Sequence, residues 1–208
     1  MAYAGRVPEL FESPEAPTGR STAPRSMSRR GRLGPSPGVV PGVAAVECLL
    51  ARTDKVAISI GPAFVYPTGL EFRIAIDAAD AETNLDPFGR RRPGRSSDTE
   101  DARPTPLLFG FRFADGSEVT TLGKGLGGAG DTEGRAPMLL PRSGSSYQGH
   151  WTQEYWLWPP PPPGRFEVVC EWAAAGIPLT RVELDAAEID RARAGSKSIF
   201  PEDVEASS

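Results

Sequence analysis

Five consecutive prolines, Pro159 to Pro163, separate two strong strand patterns. Before them Tyr155 and Leu157 alternate with Trp156 and Trp158; after them Phe166, Val168, Cys170 and Trp172 alternate with Glu167, Val169 and Glu171. A proline run adopts an extended helix rising about 3.1 Å per residue, so five prolines reach roughly 15 Å. Hydrogen-bonded strands lie only about 4.8 Å apart, whereas stacked sheets lie about 10 Å apart. The run is therefore too long and too stiff for a hairpin, and it predicts a crossing from one sheet to a second. Both faces of the strand before it are apolar, which predicts an internal strand. The expectation is that Trp156 or Trp158 meets Trp172 in a core between the two sheets.

The other strand signals agree with a two-sheet fold. Val56, Ile58 and Ile60 alternate with small or polar residues, and so do Leu70, Phe72, Ile74 and Ile76. Such period-two alternation marks half-buried antiparallel strands. Tyr66-Pro67-Thr68-Gly69 between them suits a type I turn, with Pro second and Gly fourth. Leu107 to Ala114 carries Phe109, Phe111 and Phe113 on one face. Asp115-Gly116 predicts a two-residue type I′ turn, with Ser117 to Leu122 returning. Val43 to Ala51 reads as a strand or a short helix. Ala136 to Arg142 reads as a short edge strand, because Pro137 and Pro141 cannot donate to a ladder. Ser143 to Gly149 reads as a loop, and Leu179 to Leu184 as a last strand. Asp185 with Glu188 has N-capping logic and opens one short helix ending near Gly195. The fold class expected is all-β: an antiparallel sandwich, jelly-roll or Ig-like, of about eight or nine strands with one short C-terminal helix. An antibody-type framework does not fit, since Cys48 and Cys170 lie too far apart in sequence.

Along the chain, residues 1–38 hold six Arg against three Glu among many Pro, Ser and Gly, with no apolar periodicity. Such a segment cannot offset its ordering entropy, so a disordered basic arm is expected. Met27 is an alternative start. Residues 39–200 are expected to form a single domain, with a flexible insertion at 78–105 and a frayed tail at 201–208. The insertion carries five Arg and six acids. Arg91 and Arg92, within Arg90 to Arg95, are the residues that could grip an anion, although the flanking acids largely neutralise the loop.

The 208 residues carry a formal charge of −4, which leaves no polyanion-binding footprint and argues against nucleic acid as partner. Only three of the 23 basic residues are Lys (Lys55, Lys124, Lys197), a skew read first as high-GC coding bias. No apolar run approaches the roughly eighteen residues of a membrane span. Ser28 to Leu33 partly matches a twin-arginine export motif, but Pro35, Pro37, Pro41 and Glu47 interrupt the apolar stretch that should follow. Cytoplasmic residence is therefore the expectation, with export the alternative. Two cysteines are too few for a disulfide framework. Cys48 and Cys170 read as small buried hydrophobes, or as one long-range bridge if the protein is exported.

Little in the sequence points to chemistry. Gly123 to Gly130 matches G-x-G-x-x-G twice, but Gly134 and Pro137 forbid the helix that a dinucleotide site requires. It fits a glycine loop instead. His150 is the only histidine, so any triad or multi-histidine metal site would rest on it alone. No catalytic residue, metal or cofactor is assigned. Glu154 and Glu171 flank aromatics on plausible neighbouring strands, where a carboxylate pair about 5–10 Å apart could hydrolyse a glycoside. Trp156 and Trp158, two apart on one strand face, could stack on sugar rings; a sandwich core is the competing reading. The sequence supports a non-catalytic interaction module for a protein or carbohydrate ligand, with Trp156, Trp158, Arg91 and Arg92 as binding candidates. A carbohydrate-binding module on the Trp face and a carboxylate-dependent hydrolase are the alternatives.

Several short runs carry a resemblance: Ala51-Arg52-Thr53-Asp54, Tyr66-Pro67-Thr68-Gly69, Phe113-Ala114-Asp115-Gly116, Trp156-Leu157-Trp158-Pro159, and Cys170-Glu171-Trp172 with Gly176-Ile177-Pro178. Over about Gly38 to Pro201 the chain resembles a group of uncharacterised proteins from high-GC actinomycete bacteria. That resemblance implies no activity and transfers no site residue.

Overall fold

The computed structural model describes residues 31–80, 85–88, 105–121 and 137–200. They form an antiparallel β-sandwich, open at its edges, with a nine-residue helix against it. One sheet has seven strands. Its spine is β6 (Leu70–Ala78), which pairs along its whole length with β10 (His150–Trp158). On the other side of β6 lie β4 (Val56–Ile60) and β5 (Ala63–Val65), end to end. Beyond these come β3 (Cys48–Arg52) and β2 (Gly42–Ala44), and β9 (Met138–Tyr147) borders β10. The second sheet has four strands: β12 (Ile177–Asp185), β11 (Arg165–Trp172), β7 (Leu108–Arg112) and β8 (Glu118–Thr120). A small clasp pairs β1 (Val39–Val40) with β13 (Lys197–Ser198).

The thirteen strands among the described residues exceed the eight or nine expected, in part because two long strands are broken. Gly61-Pro62 interrupts one between β4 and β5, where proline cannot donate to a ladder. The same path continues through Gly61 N–H to Arg73 O at 2.9 Å. Val43 to Ala51 resolves as β2 and β3 rather than a helix.

The proline run does cross between sheets, because β10 belongs to the first and β11 to the second. It leaves β10 through a cis Trp158–Pro159 peptide and buries Pro161 against the core. The tryptophans do not meet as expected. Tyr155 stands directly opposite Phe72, so Tyr155 and Leu157 face the interior and Trp156 faces the other way. The interior is instead an aromatic cluster. Phe72 stacks on Tyr155 at 5.9 Å and meets Phe111 edge-on at 5.3 Å, and Phe109 meets Phe111 at 5.2 Å. Trp172 lies in this core with its indole N–H on Thr105 O at 2.9 Å. Edge-to-face and offset pairs of this kind add to simple area burial.

Two turns differ from the sequence reading. Phe113 N–H bonds Ser117 O, leaving the three-residue loop Ala114-Asp115-Gly116 with Gly116 at φ 82°. That is a type I turn closed by a left-handed glycine, not the two-residue form, and Asp115 secures it by accepting from Ser117. Ser143 to Gly149, read as a loop, is mostly strand. β9 runs through Ser143–Tyr147, and the two-residue turn Gln148-Gly149 has positive φ at both positions. Asp185 caps the helix α1 (Ala186–Ala194) as expected, accepting from Ala187 N–H at 2.9 Å.

The expected arm is not all remote from the domain. Residues 31–34 lie on the sheet, 31–33 helical and Gly31 and Gly34 buried. Within the expected insertion, Leu85 and Phe88 pack on the core and Pro87 O accepts from Leu107 N–H. Arg91, Arg92 and Gly123 to Gly130 lie outside the described residues. Among the described residues no helix is long and apolar enough to cross a membrane. Both cysteines carry free thiols, and burial pushes the Cys170 thiol up to about 11.

Candidate functional site

The two outer faces of the sandwich differ. On the four-stranded sheet, Arg112 pairs with Glu118 and Glu167, and Arg165 pairs with Glu183. This is a self-neutralised, solvated ladder whose exposed pairs are screened by water. The outer face of the seven-stranded sheet is more varied, and it is the candidate site.

Antiparallel register builds that face row by row. His150 stands opposite Asp77, and their Nδ1 and Oδ1 atoms lie 2.6 Å apart. The next row is Thr152 with Ser145, their hydroxyls 2.9 Å apart. Then Arg73 faces Glu154 at 3.2 Å. Here β9 bulges, placing two residues, Arg142 and Ser143, opposite the single Glu154. A bulge re-aims side chains locally, and Ser143 donates to Glu154 from it. Gln153, buried behind the bulge, donates its amide to Ser143 O and Glu154 O, each at 2.9 Å. The last row holds Glu71 opposite Trp156, making Glu71 a diagonal neighbour of Glu154.

The two carboxylates titrate in opposite directions. The Ser143 hydrogen bond, aided by Arg73, holds Glu154 below the usual carboxylate range despite partial burial. Burial and the Glu154 charge push Glu71 up, with Arg142 opposing. A depressed carboxyl contributes stability above its unfolded value of about 4.3, which is lost as pH falls through the folded value. A raised one has the opposite sign: its stability is present below about 4.3 and lost as pH rises through the folded value. Glu154→Gln is therefore expected to lower the melting temperature at pH 7, and Glu71→Gln to raise it. Both should approach wild type near pH 3. Thermal melts between these pH values check this, and the reverse order at pH 7 would contradict the arrangement.

The aromatic half of the face is covered. Trp156 is 0% exposed, edge-on to Tyr66 at 5.7 Å, with its indole N–H on Arg32 O at 3.1 Å. The Arg32 guanidinium lies 4.5 Å from the Trp158 ring centroid. The expected sugar platform is thus closed: one indole is buried, and Arg32 occupies a face of the other. The expected carboxylate pair also separates. Glu154 faces outward on one sheet and Glu171 outward on the other, with the whole sandwich between them. Glu71, which sequence reasoning missed, takes the position beside Glu154. Only the register of β6 with β10 reveals it.

Elsewhere, a recess of about 420 Å³ opens between the Thr53-Asp54-Lys55 turn, Leu85 and Ala174–Gly176. Among the described residues, Asp54 and Lys55 are the only charged ones lining it. Between the sheets an apolar void of about 10 Å³ is lined by Phe72, Phe111, Pro161 and Ile189 among others, with no polar group to hold a water. Among the described residues no three His, Cys, Asp or Glu side chains cluster as metal ligands. The sequence matches no protein-family model and no curated protein, and no solved structure matches the fold.

Proposed function

We propose that this protein is a non-catalytic interaction module that captures an extended polypeptide segment on the outer edge of β9 at Ser146. One observation carries the reading. Residues 141–148 are exposed throughout, and no strand among the described residues pairs with the outer edge of β9. An edge strand of this length is a template for a further strand, and proteins that avoid such pairing shorten, charge or cover the edge. Here Ser143–Tyr147 offers small polar side chains and an exposed Tyr147 at the tip. Peptide capture by strand addition draws affinity from main-chain bonds and specificity from alternate side chains.

Tyr147 and His150 close a two-residue hairpin, so their backbone groups point at each other and those of Ser146 point outward. Ser146→Pro removes that outward donor while sparing the ladder to β10. Peptides selected from a displayed library on the wild-type chain should lose at least tenfold in affinity for Ser146→Pro. Failure to select any peptide, or equal binding to the variant, would refute the reading.

A second reading, a carboxylate-dependent hydrolase, is favoured by the Glu71–Glu154 pair. Diagonal strand neighbours of this kind lie about 7–8 Å apart, within the range for paired carboxyls, and one is held ionised while the other is pushed toward its acid form. Absence of hydrolysis across a panel of aryl glycosides, or hydrolysis unchanged in Glu71→Gln, ends it.

A further inference from the structure

Residues 31–34, Gly-Arg-Leu-Gly, lie against the sheet as a ligand would. Their main chain is held by side chains of the domain: Trp156 Nε1 donates to Arg32 O at 3.1 Å and Arg142 Nη1 to Leu33 O at 3.3 Å. These two carbonyls end a helical turn, where backbone acceptors have no partner within the helix and a cation is favourable. Arg32 supplies the side-chain contact, its guanidinium over Trp158 at 4.5 Å. The two glycines lie flush on the surface. A Cβ at position 31 would come within 3.0 Å of Thr68, and one at position 34 within 3.2 Å of Arg142. Beside Gly31, the buried Thr68 hydroxyl has no hydrogen-bond partner among the described residues, so an occupant with an acceptor there would gain a contact.

We propose that Tyr66, Thr68, Arg142, Trp156 and Trp158 form a binding site for a peptide presenting an arginine with glycine one residue before and two residues after it, and that residues 31–34 occupy it in cis. The site lies on the sheet face rather than the β9 edge, so it stands independently of the strand-addition reading. Sequence selectivity comes from the arginine–indole contact, worth more where water is excluded, and from the tight packing at Gly31 and Gly34, where a Cβ would crowd Thr68 or Arg142. Pro35-Ser36-Pro37-Gly38 tethers the occupant to β1. A short tether sets an effective concentration on the order of millimolar, so even a weak occupant keeps the site filled until a better one competes.

The test uses the full chain. Gly31→Val with Arg32→Ala removes the arginine–indole contact and crowds Thr68, which weakens the cis occupant. A synthetic peptide of residues 27–38 is then titrated against this variant and the wild type, following tryptophan fluorescence and calorimetry. The peptide should bind the variant at least tenfold more tightly than the wild type. Replacing the arginine at the peptide's position 32 by alanine, with those at 29 and 30 kept, should weaken binding roughly threefold to thirtyfold. No binding to a folded variant, or equal binding of both peptides, overturns the proposal. Trp158→Ala gives a second measurement that does not depend on that variant folding. Trypsin should cut the Arg32–Leu33 bond at least threefold faster than in wild type, and an unchanged cleavage rate likewise overturns it.

Discussion

Gly42→Val should lower the melting temperature by about 10 °C. The position where a Cβ would stand at residue 42 is 1.8 Å from Ala192 O, a covalent rather than a van der Waals distance. The obstacle is helix backbone, so no rotamer change relieves it. The helix must move off β2, and Ile189 and Ala192, both buried beneath it, lose part of their cover. Overpacking costs about 1–3 kcal/mol, and uncovering a side chain such as Ile189 costs about 1.5–3 kcal/mol more. For a chain of this size each kcal/mol corresponds to about 2–4 °C. Gly61→Ala is the control: its nearest neighbour would be an ordinary 3.7 Å contact, and it should melt within about 3 °C of wild type. A Gly42→Val chain that melts with the control would mean that the helix does not rest on β2.

Trp172→Ala should cost about 3–5 kcal/mol, the range for emptying a large aromatic site in a core. Trp172 is 1% exposed, packed in the cluster between the sheets, and its removal orphans Thr105 O. Against a total stability of about 5–15 kcal/mol this is severe, and denaturant melts measure it. The same experiment tests where the tryptophans sit. Trp156 is as buried as Trp172 but lies on the far side of its sheet, under residues 31–34. Sites with no shared partner add within about 0.3–0.5 kcal/mol. A Trp156→Phe, Trp172→Phe cycle, mild enough to keep the double variant folded, should therefore show no coupling beyond that. A larger coupling would restore the picture of two indoles meeting in one core.

The contrast between these tryptophans shows how far sequence reaches. In β6 and β11 one face is apolar and the other charged, so alternation alone states which side is buried, and the structure agrees. At the end of β10, from Tyr155 to Trp158, both faces are apolar, and alternation over that stretch cannot say which meets the other sheet. The deciding partner for Trp156 is Arg32, 124 residues away, in a stretch whose composition reads as a solvated arm. The Ser143–Tyr147 strand was illegible for the opposite reason: with neither face covered, no apolar period exists to be read. Turn chemistry fared better where a side chain does the work, as at the Asp185 cap. It fared worse at Asp115-Gly116, where the same dipeptide serves two loop lengths. The Glu71–Glu154 pair is set by register alone, and no local pattern encodes it.

The clasp of β1 and β13 sets how the molecule answers to force. Val39 faces Ser198 and Val40 faces Lys197, and Ile199 N–H closes on Gly38 O at 2.9 Å. The two strands leave the clasp from the same end, toward the two ends of the chain. Tension applied through those ends therefore opens its hydrogen bonds one after another, as a zipper opens, and does not load them together in shear. Residues 31–34, which precede the clasp and are held on the sheet by Trp156 and Arg142, take the tension first; the clasp then unzips, and only after it does the tension reach β2.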